Sequence, residues 1–396
     1  MATDFEWTRD QFVPLDGIIY LDGNSLGLLP KSAAHRVTTT VQDEWGKLAI
    51  TGWNRAGWMA QPRSLGDRIA RLIGAEPGHV VVGDTLSIKV FQALAAASKL
   101  TDRKVILSDT GNFPSDLYMA EGLISLLDGY ELRTVTPDQV AASITPDVGI
   151  LMLTEVDYRT GRRHDMSALT KTAQANGTLT VWDLAHSAGA TDVDVSRVGA
   201  DFAVGCTYKF LNAGPGAPAF IYVNPKHAAT AHPALSGWLG HKDPFSFDPT
   251  YRAGDGIDRM RVGTPPVLQN AALDAALDIW DQVDMADVRR ACMTLSDHFI
   301  QQVMAQTDKL SLASPADAGD RGSQVSFHFK DGYAAMQAVI DRGVIGDFRA
   351  PDIMRFGITP LYIGTDDLTA AAKVIADVVN NDLWTEPQYQ VRQAVT

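Results

Sequence analysis

Cysteine is nearly missing from this chain: Cys206 and Cys292 are the two it has in 396 residues. Two thiols cannot build a disulfide framework, and they lack the paired spacing of a zinc site, so no metal centre is expected. No apolar run approaches the ~20 residues that span a bilayer, and the start, Met1-Ala2-Thr3-Asp4-Phe5-Glu6-Trp7, carries acids where an export signal carries bases. A cytoplasmic protein without a membrane partner is expected. Positive charge is also scarce, with 34 lysines and arginines against 47 acids and a net charge of -13. Without a basic cluster to neutralise phosphates, nucleic acid is not an expected partner. Internal repeats and low-complexity segments are absent too.

What is present is a large apolar fraction, 45% of the residues, spread along a chain too long for one compact unit, so two domains are expected. From residue 80 to about 223, short apolar runs alternate with helical patterns. Runs at 80–83, 104–108, 149–153, 178–182, 201–206 and 217–223 read as strands. Segments 87–100, 113–128 and 166–175 carry apolar residues at helical spacing, the last closed by Asn176-Gly177. This alternation predicts an α/β fold with a mainly parallel sheet. Residues 270–306 read as one long helical stretch, followed by a strand at Val325–Phe329 and helices at 332–342 and 366–380. That mixture predicts a smaller α+β domain.

Two residues fall where such a sheet does chemistry. Asp183 closes the run 178–182, and Lys209 follows the run 201–206, ahead of a turn containing Asn212, Gly214 and Gly216. Ligands of open parallel sheets sit beyond the carboxyl ends of the strands, so both side chains would face one crevice. Read singly, the aspartate is a turn or a cap and the lysine a solvated surface residue. Read together, they match the two needs of pyridoxal phosphate: a lysine amine for a Schiff base and a carboxylate that keeps the pyridine nitrogen protonated.

Further elements narrow the reading. Tyr20-Leu21-Asp22-Gly23-Asn24-Ser25-Leu26-Gly27, Asn112-Phe113-Pro114-Ser115-Asp116, Asp183-Leu184-Ala185-His186, Tyr208-Lys209-Phe210-Leu211-Asn212-Ala213-Gly214, Gly237-Trp238-Leu239-Gly240-His241 and Gly263-Thr264-Pro265-Pro266 occur in this order. Together they resemble the kynureninase family, a match running from about residue 20 to 362. The resemblance implies the fold-type-I pyridoxal-phosphate architecture, with a large domain at 51–285 and a small domain made from 1–50 and 286–396. It implies a homodimer with shared active sites, hydrolysis of L-kynurenine to anthranilate and L-alanine, and service in tryptophan catabolism.

Carried over residue by residue, the resemblance assigns Leu86 and Ser87 to the cofactor phosphate. A helix start after the run ending at Gly83 suits an anion independently. It places Phe113 on the pyridine ring, Asp116 and Thr154 beside it, and His186 one turn after the ring-pairing Asp183. Tyr208 is implied to touch the phosphate and to help reprotonate the product, and Lys209 to move the Cα proton. Trp238 and Thr264 are implied to reach the cofactor of the partner subunit. Arg355 is implied to bind the substrate carboxylate, with Ser25, Trp53 and Thr264 also lining the substrate pocket. Relatives tuned to 3-hydroxykynurenine carry histidine and asparagine where this chain has Trp53 and Thr264, so unsubstituted kynurenine is the expected substrate. Lys89 stands where relatives usually have asparagine.

Two other readings share some of these residues. A cysteine desulfurase-like enzyme or an aminotransferase would use Asp183, His186 and Lys209, but a desulfurase needs a mobile nucleophilic cysteine in a late loop, and Cys292 falls in an amphipathic helical stretch. A pyridoxal-phosphate-binding regulator would need a DNA-binding or partner-binding appendage, which the sequence does not offer.

Overall fold

The computed structural model describes residues 2–392. Its centre is a seven-stranded sheet in the order Val80–Val82, Phe220–Val223, Phe202–Gly205, Leu179–Asp183, Val148–Thr154, Val105–Asp109 and Glu131–Val135. Phe220–Val223 runs antiparallel to both of its neighbours, and the remaining pairings are parallel. The expected mainly parallel α/β sheet is therefore present. The five interior strands are mostly apolar because helices cover both faces. Val181, Phe202, Val204 and Ile221 pack with Val90 and Leu94 of helix Leu86–Ala97 in one cluster, whereas Trp182, Ala203 and Tyr222 pack in another that extends to the C-terminal half. Alternate residues of each strand thus stabilise opposite layers, at roughly 1.5–3 kcal/mol for each large apolar side chain removed from water.

Three details depart from the sequence reading. Glu131–Val135 is an edge strand missing from the expected runs, because its residues are exposed or half-buried and its apolar signal is weak. The run 217–223 contributes only Phe220–Val223 to the sheet, since Pro218 has no N–H for a ladder bond and its carbonyl instead accepts from Thr207 Oγ1 at 2.6 Å. The stretch 270–306 is two helices, Val267–Trp280 and Met285–Met304. The second begins at Asp284, whose carboxylate accepts from the Ala286 amide at 2.7 Å. Helix Met166–Ala175 forms as expected, capped by Asp165, and stops where Gly177 takes φ +66°.

A four-stranded antiparallel sheet follows, ordered Asp347–Arg349, Ile353–Gly357, Gln324–His328 and Ser311–Leu312. Helices Met285–Met304, Gly332–Asp341 and Thr365–Asn380 accompany it. The beginning of the chain joins this part: Ile19–Tyr20 pairs in parallel with Val344–Ile345, and Thr8 Oγ1 donates to the Leu361 carbonyl at 3.0 Å. Helix Lys31–Thr39 instead lies on Val267–Trp280, where Arg36 meets Asp274 at 3.3 Å. No helix among the described residues is long and apolar enough to cross a membrane.

Candidate active site

Four neighbouring strands deliver the site. Thr154 and Asp183 end adjacent parallel strands in direct register, Asp183 is level with Val204 on the next strand, and Lys209 follows that strand's end at Gly205. On the other side the strand ending at Asp109 leads into Asn112 and Phe113. Residues far apart in sequence thus converge because parallel strands end on one side of the sheet.

Lys209 Nζ lies 3.0 Å from His186 Nε2. Burial holds the imidazole well below its usual range, and the positive charges of Lys209, Arg355 and Arg349 push it further down. His186 is therefore neutral, with Nε2 accepting from the lysine. Its Nδ1 is buried without a partner. Lys209 also stands 6.0 Å from the Phe113 ring centre and 5.8 Å from that of Tyr208.

Asp116 and Asp183 form a buried carboxylate pair. Burial raises Asp116, and the neighbouring Asp183 charge raises it further. Burial leaves Asp183 raised as well, although Lys209, the Ala185 amide, Asp116 and Thr154 pull it part of the way back. The Ala185 amide donates a hydrogen bond to Asp183 Oδ1 at 2.8 Å. The proton of the pair therefore sits on Asp116 and the charge on Asp183, because like charges this close cannot both ionise cheaply. Thr154 Oγ1 lies between Asn112 Oδ1 and Asp183 Oδ2, the latter at 3.4 Å. Its single proton serves one of them at a time.

Two helices begin beside this pair. Leu86–Ala97 and Pro114–Ile124 both lack a side-chain cap bond, and Ser87 Oγ is 2.9 Å from Ser115 Oγ, joining their first turns. Uncapped first-turn amides with two hydroxyls between them suit a phosphate. Lys89 is buried under this turn, bonded to Asp84 at 3.0 Å, Gln92 at 2.9 Å and the Met260 carbonyl at 3.2 Å.

The glycines of the Asp22–Gly27 segment explain its tight packing. A Cβ on Gly27 would lie 2.4 Å from the Lys209 carbonyl oxygen, and the Gly27 amide donates to the Tyr208 carbonyl at 2.8 Å. The same segment reaches Arg355: Ser25 Oγ donates to Asp347 Oδ2 at 2.6 Å and accepts from Arg355 Nη2 at 3.1 Å. Arg355, only 1% exposed, aims Nε and Nη2 at the Asp347 carboxylate and Nη1 at the Tyr158 carbonyl. The Tyr158 ring meets Phe113 edge-on at 5.1 Å.

Lys209, Tyr208, Asp183, His186, Asp116, Thr154, Phe113 and Ser87 therefore assemble as one site, with Leu86 at the helix start and Arg355 and Ser25 in a linked cluster. Trp53, Trp238 and Thr264 are not brought to it within this chain. Trp53 packs edge-on against Trp58 at 5.5 Å, Thr264 is exposed, and Trp238 is 42% exposed beside Phe245 and Phe247. Arg355's bidentate fork, expected to be free for a substrate, is taken by Asp347. Asn112, Tyr158 and Asp347 are additions that the sequence reading did not single out as site residues. Only Asn112 had a local signal, as the first residue of the Asn112–Asp116 motif.

A lysine at one strand end facing a buried aspartate at the next, beside two uncapped helix starts, defines a pyridoxal-phosphate enzyme of fold type I. Buried Asp116 Oδ2 and His186 Nδ1, both without partners, are polar atoms such a cofactor's surroundings would use. Solved structures agree on the fold: a cysteine desulfurase from Thermococcus onnurineus NA1 superposes with TM-score 0.81 at 18% identity, over 96% of this chain and 100% of that one. The cysteine desulfurase CsdA from Escherichia coli gives TM-score 0.80 at 18% identity, over 96% and 100%. Sequence relatives separate this chain from those enzymes. Kynureninase from Pseudomonas fluorescens is 46% identical over 98% of this chain and 95% of its own length, and kynureninase from Deinococcus radiodurans 49% identical over 94% and 92%. The family described as "Kynureninase C-terminal domain" matches residues 288–375. The chain belongs to the kynureninase family.

Proposed function

We propose that this chain hydrolyses L-kynurenine to anthranilate and L-alanine, with pyridoxal phosphate tethered to Lys209. The observation that carries the reading is the electrostatic meeting point at His186, which touches Lys209 Nζ and feels the charge of Arg355. A covalent tether and a carboxylate binder thereby share one site. When bound, the cofactor supplies an electron sink for bonds broken at the substrate α-carbon.

The residues divide the remaining work. Asp183 keeps its negative charge for the ring nitrogen while Asp116 holds the proton. Ser87 and the amides at Leu86 would hold the cofactor phosphate, and the Phe113 ring would pack on its pyridine. Arg355 would bind the substrate carboxylate and so orient the bonds at the α-carbon. Lys209, once free as an amine, would take the α-proton, with neutral His186 Nε2 accepting a hydrogen bond from Nζ. Burial and the nearby Cys206 thiol raise the Tyr208 phenol, keeping it protonated as a donor to the alanine fragment.

A desulfurase reading is disfavoured by the cysteines. Cys292 lies inside helix Met285–Met304 at 1% exposure, and burial pushes its thiol up to about 11. Cys206 is buried and raised likewise. Neither is a mobile thiolate.

The exposed Trp238, Phe245, Phe247 and Thr264 support a homodimer in which Trp238 and Thr264 complete the partner's site. Residues 51–285 as a large domain and 1–50 with 286–396 as a small one fit the pairing of Ile19–Tyr20 with Val344–Ile345, although Lys31–Thr39 leans on the large unit. The cytoplasm is the proposed location. Purified protein with added pyridoxal phosphate should release anthranilate from kynurenine, read by its fluorescence. Absence of anthranilate under those conditions overturns the proposal.

A further inference from the structure

Arg355 has five N–H hydrogens. Two point at Asp347, one at the Tyr158 carbonyl and one at Ser25, which leaves a single Nη1 hydrogen for an incoming carboxylate. A second acid stands beside this cluster. Asp22 follows Leu21, whose carbonyl accepts from the Gly357 amide at 2.7 Å, so Asp22 runs alongside the end of the strand that carries Arg355. Its Oδ1 is buried with no partner.

The charged and titratable groups facing Asp22 are Asp347, Arg355 and Arg349, with Tyr20 and Tyr362 beside them and the Ser25 hydroxyl between. Arg349 also binds Asp347, at 2.9 Å. With both acids ionised, two carboxylates and two guanidiniums balance. A substrate carboxylate adds a third negative charge, which is costly where burial weakens solvent screening.

Resting on Arg355 as the carboxylate binder, we infer that Asp22 is a positioning residue that must carry a proton while the substrate carboxylate is bound, so that the occupied pocket is neutral. The division of charge fits this role. Asp347, held by the Arg355 fork, stays below the usual carboxylate range, whereas burial and the adjacent Asp347 charge push Asp22 up to about 8. A protonated Asp22 also becomes a hydrogen-bond donor, which the ionised form is not.

The test uses holoenzyme and 4-oxo-4-phenylbutanoate, a substrate skeleton without the α-amine, so that no amine titration enters. Its Kd should be flat at neutral pH and rise by up to about tenfold per pH unit above about 8, the slope of one linked proton. In Asp22→Asn, neutral at every pH, that rise should vanish. Should the variant fold poorly, calorimetry of the wild type near pH 8 in two buffers of different ionisation heat should still register net proton uptake on binding. A flat wild-type profile with no proton uptake, or an unchanged slope in Asp22→Asn, overturns the inference while leaving Arg355 in place. Equal binding by Arg355→Ala would instead remove the carboxylate reading on which it rests.

Discussion

Two pairs of crowded carboxylates serve the site, Asp116 with Asp183 at the cofactor end and Asp22 with Asp347 at the carboxylate end, and they resolve the same repulsion around different cations. In each pair one acid is raised by burial and by its neighbour's charge while the other keeps the charge. Under the proposed function, the charge retained at the cofactor end on Asp183 opposes a protonated ring nitrogen. At the other end the retained charge on Asp347 is spent on orienting Arg355. One lysine needs a neighbour that can remain neutral, which His186 provides. Two guanidiniums need acids enough to hold them still without cancelling their pull on a substrate.

Substitutions can break this comparison, beginning with the strongest. Lys209→Ala should abolish turnover and the visible absorbance of the lysine-bound cofactor, a spectrum that takes minutes to record. Within the first pair, Asp183→Asn should cost about 2–5 kcal/mol in kcat/KM, roughly 30-fold to several-thousand-fold, by stranding the ring nitrogen. Asp116→Asn, which mimics the protonated acid already present, should cost less than about 1 kcal/mol. Steady-state kinetics of the two variants that came out alike would show that the proton is not on Asp116.

At the second pair, Arg355→Ala should lose about 2–4 kcal/mol, roughly 30-fold to 1000-fold in kcat/KM, while the cofactor still titrates in normally. Loss of cofactor binding along with activity would mean that the cluster supports the fold rather than the substrate. The smallest effect concerns the ring end of the substrate. If Trp53 and Thr264, which lie away from the site within one chain, face the substrate ring across the proposed dimer, the additional ring hydroxyl of 3-hydroxykynurenine should cost about 1–3 kcal/mol and favour kynurenine by roughly tenfold to 100-fold. Equal kcat/KM values for the two substrates would contradict that reading.

The two ends also differ in how much of them the sequence discloses. Asp183 and Lys209 end consecutive apolar runs, so period and position together mark them, and the parallel sheet follows from the same alternation. Asp347 lies opposite Arg355 only because two short antiparallel strands pair in that register, and Ser25 reaches Arg355 from 330 residues away. Nothing local signals such partners. Glu131–Val135 escaped because an edge strand has too little buried surface to impose alternation, and the break at Asp281–Asp284 because a capping aspartate interrupts apolar spacing for only one turn.

The most direct measurement is borohydride reduction of the cofactor-loaded protein followed by peptide mapping. A pyridoxyl group is expected on the peptide containing Lys209 and on no other lysine, including buried Lys89. A label elsewhere, or none, would contradict it.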